Sequence, residues 1–385
     1  MPRVDDGAGG ARVSTQAIAE RVREAGARHT PLRIVGAGTW LDGLRLMPAD
    51  AQPLSVASER GIVEYTPGDL TLTARAGTSL AEIAHATAAH GQWLTLDPHG
   101  SDDGTIGATV ATASWGPLAH AFGTPRDLVL GLEAVTGDGT IIRTGGRVVK
   151  NVAGFDLTRL FTGSWGTLAV ITEVTVRLRA RPEAEETIAI AVRDDAPEPL
   201  AALLAQIRAA NAAPMALELL SPAIAARLGA GASTVILARL GGNAESVRAQ
   251  RAALAAVSSV TTLGDDIWRA LRAAEPPQAW VQRLSGRPSR LPALWGTARD
   301  CCAKVSGAYA HATVSRGVVR LVFPDALKFK EVKDDALDFL GYVGIVERVG
   351  RAGEFGLKFP TFHSDLARRA RAAFDPHRIL NSEAA

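Results

Sequence analysis

The hydrophobic pattern changes period several times along the chain, and each change marks an element. From Leu168 to Leu178, Leu, Val and Ile alternate with small or polar residues, the period of two expected of a half-buried strand. Shorter stretches of the same kind predict strands at 31–35, 62–65, 70–74, 132–135 and 140–143. The last two are joined by Gly137-Asp138-Gly139, a hairpin signal. Helical spacing appears at 14–27, where Ser14 stands at the capping position and Ile18 and Val22 lie four apart. It returns at 80–89, with Leu80, Ile83, Ala84 and Thr87 on one face. Residues 96–112 read as a polar loop running into a stretch of small residues. Asp156–Phe161 reads as a helical turn and Gly163–Thr167 as a tight one.

After Arg179-Ala180-Arg181-Pro182 the texture shifts. Alanine-rich helices at 199–210 and 244–257 alternate with strands at 188–192, 215–220, 234–240 and 260–263, which predicts one antiparallel sheet carrying helices. Residues 276–299, rich in Pro, Arg and Trp, read as a surface loop followed by a helix. Residues 308–314 and 318–323 read as paired strands, and 363–374 as an arginine-rich helix capped by Ser364. The expected organisation is α+β: a disordered N-terminus at 1–12, a first domain at 13–181, a smaller α+β cap at 182–360, and a helix and tail at 361–385.

Composition narrows the function. The 385 residues are 47% hydrophobic and 21% charged, enough for two or three domains. A net charge of +2 gives no global argument for nucleic acid, and no apolar run suggests a transmembrane segment. The only cysteines, Cys301 and Cys302, are too few for an iron–sulfur cluster or a structural zinc, and a reducing cytoplasm suits them. The exposed pair Asp102 and Asp103 reads as solvated, so no metal is expected.

Candidate chemistry begins after the first strand, in Gly36-Ala37-Gly38-Thr39-Trp40. A dinucleotide fingerprint needs a third glycine where Leu41 stands, so a nicotinamide site is disfavoured. Successive small residues can still turn backbone N–H groups toward a diphosphate. In Thr105-Ile106-Gly107-Ala108 and on to Ala111, the lack of bulk leaves room for a flat ring or a diphosphate against the backbone. Arg126 beside Asp127 reads as a loop-holding ion pair.

The stretch K-N-V-A-G-F-D-L-T-R-L-F-T-G-S-W-G-T-L-A-V-I-T-E, residues 150–173, resembles the end of the FAD-binding domain of the vanillyl-alcohol oxidase (PCMH-type) flavoproteins. Five blocks in that family's order span Pro31 to Arg179, and F-D-P-H-R-I-L-N near the C-terminus is similar to its closing motif. Ala37, Ala108 and Ala169 stand where glycine is usual, Trp40 is a further departure, and Ser382 replaces a proline. Carried over by position, the likeness assigns FAD contacts to Val35, Gly36, Ala37, Gly38, Thr39 and Trp40. It adds Pro98, Gly104, Thr105, Ile106, Gly107, Ala108, Thr112, Ala113 and Gly116, then Gly123, Arg126 and Asp127. Gly166, Val170, Ile171 and Asn381 complete the set. The tail is expected to fold back onto the flavin domain.

Within the family the chain is most similar to the smaller FAD-binding subunits of glycolate oxidases. That likeness implies an electron-transferring subunit with non-covalent FAD, working beside a larger FAD subunit and an iron–sulfur subunit on a small hydroxy acid. The location is then cytoplasmic, or peripheral at the inner membrane through partners. The family's larger catalytic subunits carry a histidine-rich metal motif and a Glu-His pair in their second domain. Here the second domain offers an isolated His311. Two alternatives stay open: a stand-alone dehydrogenase using His311, Arg320 or Lys358, and a structural subunit that has lost FAD, which the three alanines would favour.

Overall fold

The computed structural model describes residues 14–39, 48, 50–146, 156–277, 279–324, 343–348 and 365–381. The first helix, Thr15–Ala27, begins where Ser14 accepts a hydrogen bond from the Ala17 N–H at 3.2 Å. It buries Ile18, Ala19 and Val22 completely. Strand β1 (Leu32–Val35) pairs in parallel with β2 (Gln52–Ser55). Strands β3 (Ile62–Thr66) and β4 (Thr71–Arg75) form an antiparallel pair, and the helix Leu80–Ala88 follows, closed by a capping box between Ser79 and Glu82. After the short β5 (Gln92–Trp93), β6 (Val129–Thr136) and β7 (Ile141–Gly145) form the expected hairpin. Strand β8 (Ala169–Arg177) inserts between β4 and β6, giving an antiparallel sheet of order β3-β4-β8-β6-β7. The outer part of β8 alternates between buried and half-buried positions, as its sequence predicts.

Two features of this half differ from expectation. Residues 106–112, read as an irregular small-residue stretch, form a helix with Thr105 as its N-cap. Gly, Thr, Val and Ile are weak helix formers, so local propensity hides it. Packing decides instead, because a Cβ on Gly107 would stand 2.6 Å from the Ala76 Cβ and 2.8 Å from its carbonyl oxygen. The second difference is at Arg126 and Asp127, which do not pair with each other. Asp127 accepts from the Thr124 N–H and hydroxyl, while the Arg126 Nε–H donates to the Thr162 carbonyl at 3.2 Å. Each satisfies a different loop, and together they fix the approach to β6.

Beyond the two-residue β9 (Arg179–Ala180), which pairs with β5, the second half is built on one eight-stranded antiparallel sheet. Its strands are β10 (Ala184–Ala191), β11 (Ala216–Leu220), β12 (Val235–Gly242), β13 (Val260–Leu263), β14 (Trp280–Ser285), β15 (Tyr309–Thr313), β16 (Val318–Phe323) and β17 (Val343–Arg348). Their order is β13-β10-β12-β11-β15-β16-β14-β17. The helices Pro197–Ala209, Ala244–Ala255 and Leu291–Ala303 contribute to the main core of this half, and the alternating strands and helices match the sequence reading. The surface-loop reading of 276–290 fails at β14, which lies inside the sheet between β16 and β17, with Trp280 2% exposed and Trp295 of the next helix fully buried. Gln282 and Arg283 make this strand look polar in sequence, yet it lies where buried carboxylates receive the arginine. Short helices at Pro222–Arg227 and Asp266–Arg272 complete this half.

The C-terminal helix Asp365–Phe374 leads into a tail that returns to the first half as expected. Leu380 bridges Leu32 in parallel, the Leu32 N–H donates to the Ile379 carbonyl at 2.7 Å, and Asn381 N–H donates to the Leu32 carbonyl at 2.9 Å. The buried Asp375 carboxylate accepts from the N–H groups of Ile379 and Leu380, which holds the turn. Among the described residues, no helix is long and apolar enough to cross a membrane. The N-terminal segment 1–12, Trp40, residues 150–155, Lys358 and Ser364 lie outside the described residues.

Candidate functional site

Strand β1 ends at Val35, and the chain then turns through Gly36–Thr39 along the rim of a cleft that opens to solvent. Its walls come from Ile34 and Val56, from Gly107, Ala108, Ala111 and Thr112 of the 106–112 helix, and from the Trp165-Gly166 turn. Ala169 and Ile171 of β8 and Asn381 of the tail complete them. The N–H groups of Gly36, Ala37, Gly38 and Thr39 donate to no other group among the described residues. Backbone donors left open in a concave turn form a ready anion site. A Cβ at Gly36 would stand 2.6 Å from the Thr105 hydroxyl, so only glycine lets the turn lie this close to the helix cap.

The opposite wall is held under strain. Outside glycine, six described residues have positive φ, and three of them flank the cleft: Ala113 (48°), Trp165 (56°) and Asn381 (39°). Left-handed backbone at such residues costs about 1–3 kcal/mol each and persists where the surroundings enforce it. Here they do. Trp165 N–H donates to the Ala111 carbonyl at 2.8 Å, and Gly163 N–H to the Val110 carbonyl at 3.0 Å. Asn381 accepts from the Ile34 N–H at 2.8 Å and donates to the Trp165 carbonyl at 2.7 Å. One side chain from the last described residue thus joins β1 to the turn before β8.

Eleven residues read from the sequence as flavin contacts line this cleft: Val35, Gly36, Ala37, Gly38, Thr39, Gly107, Ala108, Thr112, Gly166, Ile171 and Asn381. Others shape it from behind. Thr105 caps the helix, Gly104 packs near the Thr39 hydroxyl, Ile106 is buried in the core, and Ala113 ends the helix. Val170 points to the opposite face of β8, into the cluster around Ile18 and Leu32, as period two requires. Pro98, Gly116, Gly123, Arg126 and Asp127 do not line it. The Pro98 carbonyl accepts from Arg272, and Gly116 packs on the Asp97 backbone. The sequence reading missed Arg33, Ile34, Val56, Trp165 and Ala169 as lining residues, though it gave Ala111 the right role; Ile34 and Val56 could have been found from the alternation of β1 and β2.

None of the three glycine-to-alanine departures falls at a strained position. Ala37 and Ala169 are absent from the positive-φ residues, and Ala108 sits inside the helix. The feature that would have favoured loss of the cofactor therefore carries no backbone penalty.

Residues 13–145 match the family model described as an FAD binding domain. That match covers under half of the chain, and makes residues 13–145 similar to an FAD binding domain. The chain is 42% identical over 171 residues to the glycolate oxidase subunit GlcE of Escherichia coli, covering 44% of this chain and 48% of the relative. It is 38% identical over 153 residues to the glycolate oxidase subunit GlcD of Bacillus subtilis, covering 40% and 33%. The chain therefore matches under half the length of these curated relatives. In overall fold it is similar to a solved alkyldihydroxyacetonephosphate synthase, with TM-score 0.69 at 17% identity, over 96% of this chain and 76% of that one.

A second cluster lies between the FAD-binding domain and the sheet of the second half. His311, read as isolated, is not. Strand register sets it beside Arg320 on β16 and opposite Leu220 on β11, and its Nδ1 lies 3.0 Å from Glu218 Oε2. His99 arrives from the loop after β5, with ring centroids 5.1 Å apart. Arg320 donates to Glu275 through Nε and Nη2, at 2.9 and 2.7 Å, and to Glu347 through Nη1. Burial would strip the Arg320 charge, but Glu275 and Glu347 outweigh it and hold the guanidinium protonated. Burial raises Glu347, and the neighbouring Arg320 and Arg283 pull it below the usual carboxylate range. These partners come from five separate elements, so spacing along the sequence gave no sign of them.

Asp97, beside this cluster, carries a pH prediction. Burial pushes its carboxyl up from 3.8 to about 7, with Arg272 and the Leu118 N–H opposing only in part. A group whose pKa rises on folding binds a proton that the unfolded chain has released. Its stabilisation is complete below its ordinary value and is lost as pH rises through about 7. Asp97→Asn should therefore gain melting temperature relative to the parent across that window, with the two closest at its acid end. Paired thermal melts across that range check this, and a constant difference would contradict it.

Proposed function

We propose that this chain is the FAD-binding subunit of a 2-hydroxy-acid oxidoreductase complex of the glycolate oxidase type, holding FAD without a covalent bond. The observation that carries this reading is the turn at Gly36–Thr39, whose four N–H groups have no partner among the described residues, beside a cleft closed by Asn381. Bound FAD supplies two-electron transfer. The chain's own residues bind and orient it. The Gly36–Thr39 amides receive the diphosphate, and the small side chains of Ala108, Ala111 and Ala169 leave room along the cleft wall. No histidine or cysteine is among the described residues lining that cleft, in keeping with a non-covalent link.

The names of the relatives, glycolate oxidase subunits, support a hydroxy-acid substrate and a multi-subunit setting. A larger FAD subunit and an iron–sulfur subunit are the partners proposed, with a cytoplasmic location or a peripheral one at the inner membrane through them. The test is an anaerobic absorbance spectrum of the FAD-reconstituted chain, recorded before and after glycolate and D-lactate. The proposal expects flavin bands that persist with substrate alone and bleach when the partner subunits are added. Bleaching without partners would replace it with a stand-alone dehydrogenase, and failure to take up FAD would overturn it.

A further inference from the structure

We propose that His99, Glu275 and His311 form a binding site for a first-row divalent cation of the zinc or cobalt kind. One donor atom from each residue lies within 4.8 Å of the others, and all three residues are buried. Three of their polar atoms find no hydrogen-bond partner: His99 Nδ1, Glu275 Oε2 and His311 Nε2. A buried polar atom left without a partner is costly, so three on one buried cluster call for an occupant.

The protonation pattern says what kind. Glu218 accepts the Thr313 hydroxyl on Oε1 and faces His311 Nδ1 with Oε2, so it is the acceptor and His311 Nδ1 carries the hydrogen. With its Nδ1 turned to Glu218, His311 presents Nε2 to the other members of the cluster, as in the carboxylate–histidine arrangement that orients metal ligands. Glu275 spends Oε1 on Arg320, and its Oε2 meets only the Arg348 Nη1, at 3.9 Å. His99 completes the cluster, with its Nδ1 4.0 Å from Glu275 Oε1.

Two imidazoles and one carboxylate are a donor set for zinc-like ions, with a position left for water. Donors around such an ion sit about 3.3 Å apart, so the three side chains draw together by about 1.5 Å on binding. Arg272, Arg283, Arg320 and Arg348 stand around the site with Glu218, Glu275 and Glu347, so the arginines oppose a further positive ion and affinity is modest. This site is not the histidine-rich motif sought in the sequence. One ligand comes from the FAD-binding domain and two from the second half, so the ion would tie the two together.

The experiment strips the full FAD-loaded chain with a chelator, titrates it with cobalt(II) or zinc(II), and records absorbance beyond the flavin bands and bound metal per chain. FAD content of the same samples keeps this result separate from the cofactor reading. The parent chain is expected to bind one equivalent and show the visible bands of four-coordinate cobalt. His99→Leu and His311→Gln, changed in separate halves of the molecule, should lose binding about 100-fold or more. Glu218→Gln should weaken it about 10–100-fold while FAD content stays unchanged. A parent chain that is folded and FAD-loaded but takes up no metal overturns the proposal, and a buried water then satisfies the three atoms. Variants that bind as the parent does overturn it equally.

Discussion

Asn381→Ala should yield a folded protein that purifies with little FAD. The side chain makes two bonds across the mouth of the cleft, one from the Ile34 N–H and one to the Trp165 carbonyl. Removing it leaves both backbone groups without partners, at about 1–3 kcal/mol each. It also loosens the strained turn at Trp165, whose remaining ties to the 106–112 helix are the bonds from Trp165 N–H to Ala111 and from Gly163 N–H to Val110. Part of the loss falls on the fold and part on the cleft, so FAD affinity should drop at least about tenfold. Asn381→Asp keeps the acceptor and loses the donor, and should fall between the two. Flavin-to-protein absorbance ratios and titration of free FAD measure this. Parent-like retention by Asn381→Ala would separate the tail from cofactor binding.

Arg320→Met should be the most destabilising single substitution in the second half. It leaves Glu275 and Glu347 buried with their shared counter-charge gone, and breaking such a pair typically costs about 3–5 kcal/mol. Glu347 keeps Arg283 at 3.0 Å and Glu275 keeps Arg348 at 3.9 Å, which places the effect near the lower end. Adding Glu275→Gln to the variant should restore part of the loss, because a neutral amide needs no counter-charge there. Urea unfolding of the two variants measures both changes. A cost under about 1 kcal/mol for Arg320→Met would mean that water reaches the cluster and screens it.

The sequence carried the flavin half well, because its signals are local. Period-two alternation marked β8, Ser14 marked the first helix, and the small residues of Gly36–Thr39 and Gly107–Ala108 marked positions where backbone approaches backbone. The helix at 106–112 escaped, since its residues are poor helix formers and its form is set by contact with Ala76. Strand β14 escaped for a related reason. Gln282 and Arg283 read as surface, and only the fold shows Gln282 buried and Arg283 facing the Glu347 carboxylate from a distant strand. The His99–His311 meeting joins residues more than two hundred apart, which no spacing rule reaches. His311 was legible as a residue of interest, but its partners Glu218, Glu275 and His99 were not.

The account rests on FAD lying in the cleft between Gly36–Thr39, the 106–112 helix and Asn381, and a crystal structure of the chain reconstituted with FAD tests that most directly. The expected result is density for the diphosphate within hydrogen-bonding reach of the Gly36–Thr39 amides, with Asn381 in place beside it. Density for FAD elsewhere on the chain, with these four amides facing solvent, would contradict it.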